Sequence, residues 1–134
     1  MHYWIIKTEP STYSWDKFVA EGKSMWEGVR NYQARNNMMA MKLGDLVLFY
    51  HSNEGKEIVG MAKVTKEHYP DPTTDDPRWV VVELEPVQQF KKPVTLAMLK
   101  ADERFAHVSL VRQGRLSVLP IIREEFDLIL GLGN

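Results

Sequence analysis

Three segments of the sequence combine polar and aromatic side chains in a way that folding alone does not require. They are Lys7–Pro10, Trp26–Asn36 and Phe49–Ser52. Together they supply flat aromatic faces, side chains that can hydrogen-bond the edge of a nucleobase, and cations that can contact phosphate. Stacking on an aromatic side chain contributes about 1–3 kcal/mol per base, and hydrogen bonds supply base identity. The combination predicts a pocket for a flipped or single-stranded base.

The candidate residues divide by the contact that each can make. The predicted base-binding residues are Lys7, Thr8, Glu9, Trp26, Asn31, Tyr32, Tyr50, His51, Ser52 and Trp79, and the predicted phosphate-binding residues are Arg30, Arg35 and Arg112. Trp26 is central because it stands between glycine-containing and polar segments, with no apolar periodicity to bury it. We expect its ring to lie exposed at the mouth of a cleft. Trp26→Ala should then abolish binding and leave the melting temperature nearly unchanged.

Several aromatic and polar residues, candidates among them, also have an ordinary structural interpretation. Trp4 and Trp15 are predicted core residues, and Trp79 suits core packing and a pocket wall equally. A core position or a solvated face is an open alternative for four other candidates: Tyr50, His51, Arg30 and Arg35.

The composition is that of one globular domain over residues 1–134. Hydrophobic residues make up 44% of the chain and there is no cysteine, so disulfides and thiolate metal sites are excluded. A net charge of −1 argues against a protein that grips nucleic acid by bulk electrostatics. Residues 29–42 and 106–123 nevertheless contain basic side chains and no acidic ones, which favours weak, local recognition of nucleic acid.

Motifs for catalysis, metals and cofactors are absent from the sequence. The four histidines have no partner at helical spacing, and no serine lies in a G-x-S-x-G elbow. We therefore predict a non-catalytic protein with no metal and no cofactor. Two alternatives stay open. One is an enzyme that acts on a modified nucleotide or nucleoside, with His51 and Glu9 as general acid and base. The other is a small-ligand or protein-interaction module.

The sequence also gives expectations for location and assembly. No stretch approaches the roughly 20 apolar residues that cross a bilayer. We expect no membrane partner, a cytoplasmic location (nuclear in a eukaryote) and a monomer.

Hydrophobic periodicity predicts the elements that would position the candidate residues. Strands are predicted over residues 2–7, 46–51, 58–66, 79–87 and 116–119, and short helices over 15–21, 34–41, 96–100 and 124–130. Ser14 and Thr95 are the predicted N-caps, and Gly22 and Gly131 the predicted helix stops. Gly60, inside a strand, predicts a bulge or a close approach by another group. The result is an α+β domain around a curved or barrel-like mixed sheet of five to six strands with short flanking helices.

Trp26–Asn36, followed by Met41-Lys-x-Gly-Asp45, closely resembles the signature of the EVE domain family. Further matches follow in the same order: Phe49–Ser52, Ile58–Ala62, Tyr69–Thr73, Pro93–Leu96 and Leu110–Val118. The resemblance covers Tyr3 to Gly131. It implies a PUA-like fold related to the YTH and ASCH domains. It also implies a reader of modified bases, with methylated or hydroxymethylated cytosine in DNA, or a modified RNA base, as candidates.

The resemblance also carries individual residues over. Lys7-Thr8 matches the Lys-Ser pair of YTH domains, Trp26 matches the tryptophan that floors their aromatic cage, and His51-Ser52 ends the equivalent central strand. Two positions depart from the family pattern. Thr8 stands where serine is usual, and Ile122 replaces a capping serine or threonine, which leaves the last helix without a side-chain cap.

Overall fold

A six-stranded mixed sheet organises the computed structural model, which describes all residues 1–134. The strands are β1 Tyr3–Thr8, β2 Ser24–Trp26, β3 Leu46–His51, β4 Glu57–Pro70, β5 Val80–Thr95 and β6 Val118–Ile121. The helices are α1 Trp15–Glu21, α2 Tyr32–Ala40, α3 Leu96–Lys100, α4 Ser109–Arg112 and α5 Arg123–Gly133, with a 3-10 turn at Glu103–Phe105. None of the helices combines the length and apolarity needed to traverse a lipid bilayer.

Strand order explains how distant candidate segments meet. The order is β2-β5-β4-β3-β1-β6, and every pair is antiparallel except β1 with β3. Because β1 and β3 run parallel, their carboxyl ends lie side by side, with Lys7 opposite Tyr50 and Thr8 opposite His51. The first and third candidate segments therefore share one end of the sheet, and the predicted α+β mixed sheet is confirmed.

The sheet curves strongly, so that its edge strand β2 approaches the central strand β3. Three strand spacings, about 14 Å in a flat sheet, separate β2 from β3. The rings of Trp26 on β2 and Phe49 on β3 nevertheless lie 5.7 Å apart between centroids. Register shifts along the long β4–β5 ladder accompany this bend, as β-bulges do. Curvature therefore brings the edge strand over the centre of the sheet.

Several predicted elements are confirmed closely. Helix α1 begins after Ser14, whose hydroxyl accepts from Lys17 N, and ends at Gly22 with φ 77°. Thr95 caps α3, and Ile122 gives α5 no side-chain cap. Trp4 and Trp15 are buried, as predicted.

Other boundaries differ from the prediction for identifiable reasons. Strand β5 continues through Pro86 to Thr95, because the irregular pairing of β4 with β5 tolerates a missing N–H. Helix α5 runs through Gly131 instead of stopping there. Strand β2, helix α4 and the 3-10 turn escaped prediction because three or four residues are too few to show a period.

Gly60 satisfies both predictions made for it. The β3–β4 and β4–β5 registers shift beside it, and the indole of Trp15 lies against its backbone. A Cβ atom at this position would stand 2.6 Å from the Trp15 ring. Since α1 is anchored by this ring, Gly60 allows the helix to sit directly on the sheet.

Gly60→Ala should therefore lower the free energy of unfolding by about 1–3 kcal/mol, because the methyl group overlaps a buried ring. Chemical denaturation measures the change. Gly131→Ala is the control, since a Cβ there meets nothing within 4 Å and alanine favours the helix. Equal stability of the Gly60 variant and the wild type would contradict the packing described for Trp15.

Candidate functional site

An open cleft of about 910 Å³ lies beside Trp26. Its walls come from the end of β1, helix α1, strand β2, the segment after β2 and the approach to β6. The lining residues are Lys7, Thr8, Thr12, Tyr13, Lys17, Glu21, Lys23, Ser24, Met25, Trp26, Glu27, Gly28, Val29, Arg30 and Ser117. The volume lies within the range of small-molecule sites. A smaller cavity, about 440 Å³, opens at the other end of β1 and contains none of the predicted site residues.

Trp26 is a core residue and a cleft wall at once. The residue is only 8% exposed, and its ring meets Tyr13 and Phe49 edge to face, each at 5.7 Å between centroids. The expected exposure at the cleft mouth is therefore wrong, because the curved sheet packs the ring against β3. Removing it should cost about 3–5 kcal/mol, so an unchanged melting temperature is no longer expected for Trp26→Ala.

One polar atom of Trp26 stays available. Its indole N–H has no hydrogen-bond partner in the protein. The buried polar atoms without a partner are Trp15 Nε1 and Thr65 Oγ1, so the Trp26 N–H keeps contact with solvent. A ligand that reaches this atom can accept a hydrogen bond from it.

Lys7 and Thr8 line the cleft at the end of β1. The Lys7 ammonium donates to the carbonyl oxygen of Gly114 at 2.9 Å and lies 5.8 Å from the centre of the Tyr50 ring. Burial lowers the pKa of Lys7. Lys7 therefore holds the loop after α4 against the cleft. Arg112 is exposed at the end of α4, two residues before Gly114 in the sequence.

Arg30 lines the cleft, but its guanidinium is largely committed to Asp71. Nη1 of Arg30 lies 2.9 Å from Oδ2 of Asp71, whose side chain is fully buried. The same carboxylate accepts from the backbone N–H groups of Gly28 and Thr73. Burial would raise the pKa of Asp71, but hydrogen bonds from Thr73, Arg30 and Gly28 outweigh it and lower the pKa. Arg30 thus compensates a buried charge and fixes the cleft rim.

His51, Glu9 and Ser52 lie outside the cleft lining. His51 Nε2 accepts from the backbone N–H of Trp15 at 3.0 Å, at the first residue of α1. Glu9 accepts from Asn53 at 2.6 Å, and the Ser52 N–H donates to the carbonyl oxygen of Thr8 at 2.8 Å. The structure therefore gives His51 a helix-capping contact and does not bring it together with Glu9 in the cleft.

Tyr32, Trp79 and Arg35 form a stack that is also outside the cleft lining. The Tyr32 and Trp79 rings lie 5.2 Å apart, and the Arg35 guanidinium lies 4.9 Å from the Tyr32 centroid. Tyr32 is half exposed, and its hydroxyl accepts from Arg78. Arg30 lies 5.7 Å from the Trp79 centroid and links the stack to the cleft rim.

The two remaining predicted residues support neighbouring elements. Asn31 caps α2, accepting from Ala34 N at 2.9 Å, and Tyr50 is 3% exposed within the core. A part in ligand binding for the residues outside the cleft lining stays a prediction.

Sequence reasoning missed one wall of the cleft. Tyr13, Lys17 and Glu21 all line it, and their i, i+4 spacing places them on one side of α1 and the turn before it. The Tyr13 hydroxyl donates to Glu21 at 2.5 Å, and burial together with this hydrogen bond raises the pKa of Tyr13 to about 12. The spacing was visible in the sequence, but nothing there showed that this side of α1 faces Trp26.

Comparison with known proteins finds a family and close structural relatives. The family model described as EVE domain matches residues 2–132. Mouse thymocyte nuclear protein 1 is 38% identical over 98% of this chain and 73% of its own length. The crystal structure of protein Atu2648 from Agrobacterium tumefaciens is 43% identical, with a TM-score of 0.98 over 100% of this chain and 94% of that chain.

A third relative was solved with a ligand. Human THYN1 protein in complex with 5-methylcytosine-containing DNA is 33% identical, with a TM-score of 0.93 over 100% of this chain and 98% of that chain. A distant likeness, 12% identical with a TM-score of 0.60, links the fold to an ASCH structure from Zymomonas mobilis, covering 98% of this chain and 96% of that chain. The predicted relation to ASCH domains is thereby confirmed at the level of the fold.

The contact from His51 to α1 predicts a pH dependence of stability. Burial lowers the pKa of His51 below 6.5, although Glu57 and Asp16 partly oppose the shift. The unfolded chain therefore binds this proton more readily, so the contribution of His51 is complete above about pH 6.5 and is lost as pH falls through the folded-state pKa. Glutamine offers an acceptor that does not titrate, so His51→Gln should lose less stability than the wild type between pH 7.5 and 5. Urea unfolding at both pH values measures this difference; identical losses would contradict it.

Proposed function

We propose that this chain, which belongs to the EVE domain family, binds nucleic acid by holding one modified base in the cleft beside Trp26. The observation that carries the proposal is the cleft itself, where aromatic rings meet hydroxyl groups and ammonium groups. The complex of human THYN1 with 5-methylcytosine-containing DNA, a relative of the same fold, supports it. Methylated or hydroxymethylated cytosine in DNA is therefore the first candidate, and a modified RNA base the second.

Six of the lining residues have a proposed task. The Trp26 and Tyr13 rings give apolar contact to the base and to an added methyl or hydroxymethyl group. The hydroxyl of Thr8 and the indole N–H of Trp26 contact the base edge. Lys7 and Lys17 contact the flanking phosphates. Arg30 contributes a smaller share than the sequence predicted, since Asp71 already holds it.

The predicted residues outside the lining act around the cleft in this proposal. His51 and Asn31 hold the ends of α1 and α2. The stack of Tyr32, Trp79 and Arg35 continues from the rim formed by Arg30, and Arg112 flanks the loop that Lys7 holds. In this proposal the stack and Arg112 contact the nucleic-acid strand beyond the bound base. The remaining members of the predicted set, Glu9, Tyr50 and Ser52, shape the end of the sheet.

The proposal includes no catalysis. The acid–base pair weighed from the sequence, His51 and Glu9, lies outside the cleft lining, and each member already has a partner. Nothing in the cleft favours a reaction over binding. A cytoplasmic location, or a nuclear one in a eukaryote, and a monomeric state stay predictions.

Trp26→Phe should weaken binding of a modified strand by roughly tenfold, because phenylalanine keeps an aromatic contact with Phe49 but offers less stacking area and no N–H. Fluorescence anisotropy with single strands carrying one cytosine or one 5-methylcytosine measures affinity. Trp4→Phe is the matched control, since Trp4 is also buried, at 5% exposure, and does not line the cleft.

Two results would contradict the proposal. One is an equal loss of affinity in both tryptophan variants at comparable melting temperatures. The other is a wild type that binds modified and unmodified strands alike in both DNA and RNA. The nucleic-acid strand recovered after incubation with the protein should be unchanged in mass. A new product would overturn the non-catalytic assignment.

Salt dependence gives an independent prediction. If Lys7 and Lys17 contact two phosphates, the logarithm of the binding constant should fall against the logarithm of salt with a slope of about −1.4. Lys17→Met should make the slope less negative by about 0.7 and weaken the binding of modified and unmodified strands equally. A slope near zero would contradict these two phosphate contacts.

A further inference from the structure

The Tyr13 hydroxyl and the Glu21 carboxylate form a polar corner of the cleft that the proposed function does not yet use. Tyr13 meets Trp26 edge to face, with an interplanar angle of 74°. Its hydroxyl donates to Oε1 of Glu21, the last residue of α1. The corner therefore places a carboxylate at the outer end of the aromatic wall.

The Glu21 carboxylate is oriented by Tyr13 but not neutralised. None of the ion pairs in the structure involves Glu21. An ionised carboxylate has about four acceptor positions, and Tyr13 occupies one of them. Because Tyr13 keeps its proton at neutral pH, with a pKa of about 12, it stays the donor and leaves the other positions open. The cleft thus presents acceptors that have no donor in the protein.

An acceptor-only group distinguishes bases by their exocyclic groups. Cytosine carries at C4 an amino group that donates to a carboxylate, whereas thymine and uracil carry at C4 a carbonyl oxygen that a carboxylate repels. Thymine and 5-methylcytosine share the methyl group at C5, so the aromatic wall cannot tell them apart by that group. The exocyclic amino group of the cytosine is the difference that Glu21 can read.

We infer that Glu21, held by Tyr13, selects a base with an exocyclic amino group and rejects thymine and uracil. The inference rests on the proposed function, because it concerns the base held beside Trp26. Glu27 also lines the cleft but is not held by the Tyr13 hydroxyl. Because this selection requires a carboxylate held in one orientation, we assign it to Glu21 and not to Glu27.

The test compares three single strands that are identical except for one central base: 5-methylcytosine, cytosine or thymine. The wild type should bind the 5-methylcytosine strand at least about tenfold more tightly than the thymine strand. Glu21→Gln should bring this ratio within about twofold, since glutamine keeps an oxygen for Tyr13 and gains an amide that can donate to the thymine oxygen. Glu27→Gln is the matched control and should leave the ratio as in the wild type, and melting temperatures verify that both variants fold.

The outcomes separate this inference from the proposed function. A wild type that binds the thymine and 5-methylcytosine strands equally, but both above cytosine, overturns the inference and leaves a reader of the C5 methyl group. A wild type that prefers both cytosines equally over thymine supports the inference and overturns modification reading. Unchanged discrimination in Glu21→Gln, or equal loss in both glutamine variants, also overturns the assignment to Glu21.

Discussion

The edge-to-face contact between Trp26 and Phe49 is the constraint on which the cleft depends. Phe49 belongs to a buried central strand, while Trp26 ends a three-residue edge strand. A flat sheet would keep β2 about 19 Å from β1, four strand spacings away, yet Trp26 and Lys7 line one cleft. Packing of the indole against the core therefore fixes the edge strand in the position that creates the cavity. The same ring stabilises the fold and forms a wall, which is why its two tasks cannot be separated by deleting it.

Polar contacts hold the other walls in place around this packing. The acceptor nitrogen of His51 fixes the start of α1, so the side of that helix with Tyr13, Lys17 and Glu21 faces the cleft. Buried Asp71 gathers Gly28, Arg30 and Thr73 and so fixes the opposite rim. Each contact satisfies a buried or helix-end polar group first, and a ligand meets a rim that is already ordered. Binding to such a preorganised site loses less conformational entropy than binding to a mobile loop.

Local signals in the sequence predicted the elements but not the partners across the cleft. The apolar run Leu46–His51 and the caps Ser14 and Thr95 are read within a few residues, and the structure confirms them. The burial of Trp26 depends on its pairing with Val82 and its contact with Phe49, and the commitment of Arg30 depends on Asp71 forty-one positions away. Nothing near these residues encodes such contacts. Lys7, Thr8, Trp26 and Arg30 line one cavity, whereas Tyr32 and Trp79 lie outside its lining, and a part in ligand binding stays a prediction for all six.

Indole N–H signals in a two-dimensional proton–nitrogen NMR spectrum test occupation of the cleft most directly. The chain has four tryptophans, so four signals are expected, and single Trp→Phe variants assign them. Addition of a strand with one 5-methylcytosine should shift the Trp26 signal strongly. It should leave the signal of Trp4 unmoved, because that N–H donates to the Asp45 carboxylate at 3.0 Å within the core. A bound strand that leaves the Trp26 signal in place would contradict the account.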